Sequence, residues 1–132
     1  DGRAHVDEAS AWAIRHMASS PVLVYASAAP ERLSEIRNQI GRDRAGALVE
    51  QAFAQIADRL VAAGLRRLIV AGGETSGAVV AGLGIEALQI GPAIAPGVPW
   101  TSSQGEPAIA LALKSGNFGG PMFFIEALEM LP

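Results

Sequence analysis

The sequence contains no cysteine among its 132 residues and only one lysine, Lys114. The missing cysteines exclude a disulfide framework, a thiolate zinc site and a cysteine nucleophile. Positive charge is also scarce, since ten Lys and Arg stand against thirteen Asp and Glu. The resulting net charge of −3 argues against a nucleic-acid binder, which would carry a basic stripe. Half of the residues are hydrophobic, so the chain is not disordered, and its length fits one domain.

Targeting and membrane signals are also missing from the sequence. The chain begins at Asp1 without a methionine, so we expect an excerpt of a longer or processed protein. It shows no charged segment followed by an apolar one, as a signal peptide would. The stretch 77–100 carries a single charge, Glu86, but its five glycines and three prolines do not suit a membrane-spanning helix. We therefore expect buried strands and loops there, and no membrane partner.

Hydrophobic periodicity predicts helices that alternate with short strands. The helical period is most sustained over 43–64, and helices are also predicted over 5–19, 75–83 and 120–131, with a short helix or turn over 30–40. Apolar, β-rich runs predict strands over 21–27, 68–71, 87–90, 98–102 and 107–113. This alternation predicts an α/β domain with a three-layer arrangement, a largely parallel sheet and glycine-rich loops at strand ends.

The first candidate site follows the predicted strand 68–71. The sequence there is Gly72-Gly-Glu-Thr-Ser-Gly77, which places two glycines and two hydroxyl residues at a predicted helix start. Backbone N–H groups at a helix start attract anions, and glycine lets a ligand approach the backbone closely. The run is neither a Walker A loop nor a GxGxxG motif. A glycine turn with a Thr75 helix cap therefore explains it equally well.

The second candidate site is the run Lys114-Ser-Gly-Asn-Phe-Gly-Gly-Pro121, between a predicted strand and a predicted helix. Pro121 suits the first turn of that helix. Taken alone, Lys114 would be an ordinary solvated lysine before a turn. Two anion-attracting segments at strand ends of one sheet favour a ligand site instead, because ligands of open α/β sheets lie at the carboxyl ends of strands.

Other candidate residues carry weaker signals. Trp100 either stacks on a ligand ring or fills the core, and the core is favoured. His5 and His16 would lie about 16 Å apart on one helix, too far to share a metal ion, and no other metal site is predicted. The sequence shows no Ser-His-Asp set and no spaced pair of carboxylates, so it identifies no catalytic residue.

Three strings occur in order: Gly72-Gly-Glu-Thr-Ser-Gly-Ala-Val79, Gly97-Val-Pro-Trp100 and Leu113-Lys-Ser-Gly-Asn-Phe-Gly-Gly120. Together they resemble the C-terminal nucleotide-binding domain of the four-carbon acid sugar kinases, which include 3-oxo-tetronate, threonate and erythronate kinases. The resemblance is clearest over 68–131. It implies that residues 1–132 are the ATP-binding domain of a cytoplasmic two-domain kinase, whose N-terminal domain binds the acid sugar. It also implies Mg²⁺ as a cofactor and is compatible with a homo-oligomer.

The resemblance also implies particular site residues. Nucleotide contacts would fall on Gly73, Glu74, Thr75, Ser76 and Gly116, with Lys114 and Asn117 added as neighbours. Met122 departs from the family pattern, which has an acid after Gly-Gly-Pro. Two alternatives remain open: a non-enzymatic module that binds a nucleotide or another anion, and a structural or interaction domain whose glycines serve only turns. Some family members also carry a type III effector label, but nothing in this sequence supports secretion.

Overall fold

The computed structural model describes residues 2–27 and 30–131. These residues form an α/β domain, as the sequence predicts. The elements in chain order are α1 (Gly2–His16), α2 (Pro30–Ile40), α3 (Arg42–Ala62), β1 (Arg67–Ala71), α4 (Gly73–Gly82), β2 (Leu88–Ala95), β3 (Val98–Ser103), β4 (Ala110–Lys114) and α5 (Phe123–Glu129). No helix within the described ranges is long and apolar enough to cross a membrane.

The strands form one mixed sheet in the order β1-β4-β3-β2. β1 and β4 are parallel, with Arg67 opposite Ala110 and Ala71 opposite Lys114. β3 is antiparallel to both of its neighbours. The expectation of a largely parallel sheet is therefore wrong. β2 and β3 are joined by a tight turn, and a tight turn can only connect antiparallel strands.

Helices cover both faces of the sheet. On one face, Trp100 and Ala112 pack against Phe123 of α5. On the other face, Val70 of β1 packs with Val79 of α4 and with α3. Successive side chains of a strand point to opposite faces, so the paired strands β1 and β4 contribute to both clusters. A third cluster joins α1 to the outer side of α3 and consists of Val6, Ala13, Ile56 and Leu60.

The long amphipathic helix α3 lies between the sheet and α1. Its Ala57 belongs to the cluster on the sheet, whereas Ile56 and Leu60 belong to the cluster with α1. The helix ends before Gly64, whose φ of +110° belongs to the region that favours glycine. The predicted helix over 43–64 is confirmed within about two residues.

The predicted strand over 21–27 is wrong, because this segment has no regular secondary structure. Its side chains do alternate: Val22 and Val24 are half-buried, whereas Leu23 and Tyr25 are exposed. However, the two valines pack against the cluster of α1 and α3, away from the sheet. A strand needs a neighbouring strand for its backbone hydrogen bonds, and period-two burial alone does not supply one.

Three other boundaries differ from the predictions. β2 extends to Ala95, beyond the predicted end at residue 90, because it is an edge strand and therefore tolerates Pro92. β4 begins only at Ala110 instead of residue 107. α5 spans Phe123–Glu129, which is shorter than the predicted 120–131. The remaining predicted helices and strands are confirmed with small shifts at their ends.

Candidate functional site

The carboxyl ends of β1 and β4 lie side by side. Ala71 pairs with Lys114, and the N–H of Gly72 donates to the carbonyl oxygen of Lys114 at 2.7 Å. The helix α4 begins at the next residue, Gly73. After Lys114 the chain continues through the irregular segment 115–122 to α5. The two glycine-containing segments singled out by the sequence are therefore adjacent at one end of the sheet.

The junction between β1 and α4 is a single residue, Gly72, so the glycine-rich loop expected after β1 does not form. Gly72 has a φ of +123°, and a Cβ there would lie 3.3 Å from Oγ1 of Thr75. Gly72 is also the N-cap residue of α4, without a side-chain cap hydrogen bond. Of the two alternatives for this run, the one in which the side chain of Thr75 caps the helix is therefore wrong. Because the first N–H groups of a helix lack intrahelical partners, those of α4 remain suited to an anion.

The first turn of α4 presents three different polar side chains. Glu74 is exposed, Thr75 is half-buried and Ser76 is only 8% exposed. Oγ of Ser76 is the one buried side-chain polar atom in the described part of the chain that has no hydrogen-bond partner. Buried hydroxyls are ordinarily paired, because an unpaired one costs about 1–3 kcal/mol. This turn therefore has hydrogen-bonding capacity that the protein itself leaves unused.

The side chain of Lys114 folds back onto its own segment. Its Nζ donates to the carbonyl oxygens of Ser115 at 3.1 Å and Gly116 at 2.9 Å. Nζ also lies 5.8 Å from the centroid of the Phe123 ring. Gly116 and Asn117, the other predicted contacts in this segment, are exposed.

Ser115 is a residue that the sequence reasoning missed. Its Oγ lies 3.9 Å from the position that a Cβ of Gly73 would occupy, so it faces the start of α4. The only sequence signal for Ser115 is its place beside Lys114 in the string 113–120. Ser115 lies close to Gly73 because β1 pairs with β4, and this pairing cannot be read from the sequence.

The third string, 97–100, also begins at this end of the sheet. Gly97, with a φ of +79°, lies in the turn between β2 and β3, and a Cβ there would be 3.0 Å from Cε1 of Phe118. The ring of Phe118 therefore rests on the backbone of the turn. Trp100 is only 2% exposed, and its Nε1–H donates to the carbonyl oxygen of Ala127 at 2.9 Å. The interpretation of Trp100 as a core residue is confirmed.

A groove of about 560 Å³ opens beside the first turn of α4, between α2 and the start of α3. This volume falls in the range of small-molecule sites. Its charged lining residues have both signs: Arg37, Arg42, Asp43, Glu50 and Glu74. A molecule bound at the start of α4 would therefore have space beside it.

Metal-ligating side chains are sparse within residues 2–27 and 30–131, where no group of three or more His, Cys, Asp or Glu could hold an ion. Nδ1 of His16 donates to the carbonyl oxygen of Trp12 at 2.7 Å, and the two rings stack. At the sheet end described above, Glu74 is the single carboxylate of the segments 72–76 and 114–122. Any cation there would need most of its ligands from a bound molecule.

The structure is a small α/β domain in which the start of α4 and the glycine-containing segment after β4 lie side by side at one end of the sheet. The chain belongs to the family described as the nucleotide-binding C-terminal domain, whose pattern matches residues 1–124. The resemblance to the C-terminal domain of the acid sugar kinases is confirmed.

Relatives with assigned activities are similar over nearly the whole chain. A 3-oxo-tetronate kinase from Cupriavidus necator is 54% identical over 130 residues, which cover 98% of this chain and 30% of that protein. A 3-oxo-tetronate kinase from Pseudomonas fluorescens is 52% identical with the same coverage. The crystal structure of a Haemophilus influenzae protein matches with a TM-score of 0.84 and 42% identity, over 96% of this chain and 31% of that one. The chain spans about 30% of the length of these curated relatives.

Proposed function

We propose that the chain is the ATP-binding domain of a kinase that phosphorylates the terminal hydroxyl of a four-carbon acid sugar such as 3-oxo-tetronate, threonate or erythronate. Residues 1–132 would form the C-terminal nucleotide-binding domain, with the acid sugar held by another domain of the longer protein. The observation that carries this proposal is the 54% identity with a 3-oxo-tetronate kinase across 98% of the chain. The consumption of ATP favours a cytoplasmic location.

The phosphates of ATP would lie between the start of α4 and the segment after β4. The helix start offers unpaired N–H groups and the positive end of the helix dipole. Gly73 and Gly116 are exposed and have no side chain, so phosphate oxygens can approach the backbone on both sides. Thr75 and Ser76 add hydroxyl groups from α4, and Asn117 adds an amide from the opposite segment. The set derived from the sequence therefore supports one continuous phosphate site.

Glu74 has a different role in this proposal, because a carboxylate beside phosphates would repel them. Mg²⁺ is commonly bound by one or two carboxylates together with substrate phosphates, and Glu74 fits that donor set. When bound, the ion would supply neutralisation of the charge that develops during phosphoryl transfer. The side chain of Met122 offers no oxygen ligand, so Glu74 would be the side chain of this site that holds the ion.

The test is a coupled ADP-release assay on the full-length protein in which the chain occurs, with 3-oxo-tetronate, threonate and erythronate as acceptors. We expect ADP release that depends on at least one of these acids and on Mg²⁺. ATP binding without acid-dependent release would instead indicate a non-enzymatic nucleotide-binding module. If ATP fails to raise the melting temperature at all, the structural or interaction domain is the better description.

A further inference from the structure

We propose that Lys114 is a positioning residue. Its ammonium would fix the segment 115–122 by binding backbone carbonyls on the side away from the phosphate, and the hydroxyl of Ser115 would contact phosphate directly. This inference rests on the proposed nucleotide site, but it assigns the phosphate contacts to different residues. The lysine would act on the nucleotide through the backbone it holds, instead of pairing with phosphate itself. Ser115 would join the binding residues.

The ammonium of Lys114 is hydrogen-bonded to the segment that follows it in the chain. Its ammonium donates to two consecutive carbonyl oxygens, those of Ser115 and Gly116, at 3.1 and 2.9 Å. An ammonium has three N–H donors, so two of them are used by the segment itself. The ring of Phe123 lies beside the same ammonium, with its centroid 5.8 Å from Nζ. A phosphate could therefore accept at most the one remaining N–H of Lys114 while these two hydrogen bonds persist.

The geometry of the peptides after Ser115 and Gly116 fixes the direction of their N–H groups. In a trans peptide the C=O and the following N–H point in opposite directions. The cis bond of the described chain is Glu106–Pro107, so the peptides after Ser115 and Gly116 are trans. Because their carbonyls face the ammonium, the N–H groups of Gly116 and Asn117 point away from it. A cation on the carbonyl side also polarises each peptide, which makes its N–H a stronger donor.

The side chain of Ser115 lies where it can contact an anion bound at the start of α4. Its Oγ faces the start of α4, 3.9 Å from the position of a Cβ on Gly73. In the same first turn, the hydroxyl of Ser76 is buried without a partner. A phosphate placed against the first N–H groups of α4 would therefore be adjacent to the Ser115 hydroxyl. The Ser115 hydroxyl and the N–H groups of both segments would then share one anion.

A double-mutant cycle on ATP affinity tests these roles in the full-length protein. Lys114→Met and Ser115→Ala are each expected to raise the dissociation constant of ATP about tenfold, as for the loss of one charge-assisted hydrogen bond. If Lys114 positions Ser115 and its neighbours, the double variant should lose about tenfold to thirtyfold, well short of the product of the two single losses. Losses that multiply to about a hundredfold would overturn the positioning role.

Hydrogen–deuterium exchange gives a second readout that needs no nucleotide. In the ligand-free protein, Lys114→Met should speed exchange across 115–122, because the segment loses two hydrogen bonds. Ser115→Ala should leave that exchange nearly unchanged. Lys114→Arg keeps the charge and N–H donors at this position, although in a different geometry, and should therefore lose less ATP affinity than Lys114→Met. Unchanged exchange in Lys114→Met, or unchanged ATP affinity in Ser115→Ala, would each contradict the inference.

The matched control is Arg66→Met. Arg66 also donates to two backbone carbonyls, those of Val61 at 3.1 Å and Leu65 at 2.7 Å, but it lies at the opposite end of the parallel pair β1 and β4. Its replacement should leave ATP affinity unchanged. A wild-type protein that binds no ATP would refute the proposed function, whereas wild-type binding with multiplying losses would refute only the role of Lys114.

Discussion

A methyl group added at Gly73 or Gly116 is expected to weaken ATP binding while leaving the fold intact. Neither glycine has a positive φ, so alanine is tolerated by the backbone at both positions. A Cβ at Gly116 would meet no atom within 4 Å, and a Cβ at Gly73 would meet only Oγ of Ser115 at 3.9 Å. The added methyl groups would instead occupy the space through which phosphate approaches the backbone.

The size of the effect follows from binding linkage. ATP at a hundred times its dissociation constant stabilises a folded protein by about 2.7 kcal/mol. If alanine raises that constant tenfold, the same ATP concentration stabilises by only about 1.4 kcal/mol. For a domain of this length, 1 kcal/mol corresponds to roughly 3–5 °C in melting temperature. The ATP-induced shift should therefore shrink by roughly 5 °C in either variant.

The assay is thermal unfolding of the 132-residue chain with and without ATP, supported by calorimetric titration. Gly77→Ala is the matched control, because Gly77 lies one turn further along α4 and a Cβ there meets no atom within 4 Å. This control should gain up to about 1 kcal/mol of intrinsic stability, since glycine disfavours a helix, and should keep the full ATP shift. If Gly73→Ala and Gly116→Ala also keep the full shift, the nucleotide binds elsewhere.

Two further predictions concern the packing that supports the site. Gly119→Ala should destabilise the domain by about 1–3 kcal/mol in urea unfolding, because Gly119 has a φ of +81° and its Cβ would lie 2.5 Å from Cδ2 of Phe123; a loss below about 0.5 kcal/mol would contradict this packing. Trp100→Phe should cost about 1–3 kcal/mol, because the buried carbonyl of Ala127 loses its donor. Trp12→Phe, at a ring that is 42% exposed, should stay within about 0.5 kcal/mol, and equal losses at both tryptophans would refute the hydrogen-bond argument.

Hydrophobic periodicity in the sequence was sufficient to predict most helices, because an amphipathic period indicates which face of a helix is buried. The same reasoning failed for 21–27, where alternating burial of Val22 and Val24 against helices resembles that of a strand. The strand directions were predicted wrongly because the alternation of helices and strands was read as a parallel sheet. β2 in fact reaches Ala95 and leaves only a turn before Val98, so β2 and β3 are antiparallel.

The sequence predicted two segments at strand ends of one sheet, but it did not predict the contacts that individual side chains make there. Glycine runs after strands indicate where a ligand can approach, and they identify the neighbourhoods of Gly73 and Gly116. The hydrogen bonds of Lys114 and the position of Ser115 opposite Gly73 depend on contacts between β1 and β4, which are distant in the sequence. A lone lysine beside a glycine-rich run suggests phosphate binding, whereas in the structure its ammonium is hydrogen-bonded to the backbone of its own segment.

The 132-residue chain by itself is expected to bind ATP without phosphorylating an acid sugar. Phosphoryl transfer requires an acceptor hydroxyl held in line with the γ-phosphate and a residue that orients or deprotonates it. The segments 72–76 and 114–122 supply one carboxylate, Glu74, which the proposed function assigns to Mg²⁺. The ammonium of Lys114 is already hydrogen-bonded to backbone carbonyls. Neither side chain is therefore left to act on the acceptor.

The need to exclude water from the reacting groups leads to the same expectation. A cleft that closes over the substrates needs both of its sides, and this chain spans only about 30% of the length of its curated relatives. The measurement is ADP release by the chain and by the full-length protein, side by side, with 3-oxo-tetronate, threonate and erythronate. ATP should raise the melting temperature of the chain, which shows that the nucleotide site is formed, while none of the acids increases ADP release. Acid-dependent turnover by the chain at the full-length rate would mean that the acceptor site lies within these 132 residues, and the two-domain reasoning would be refuted.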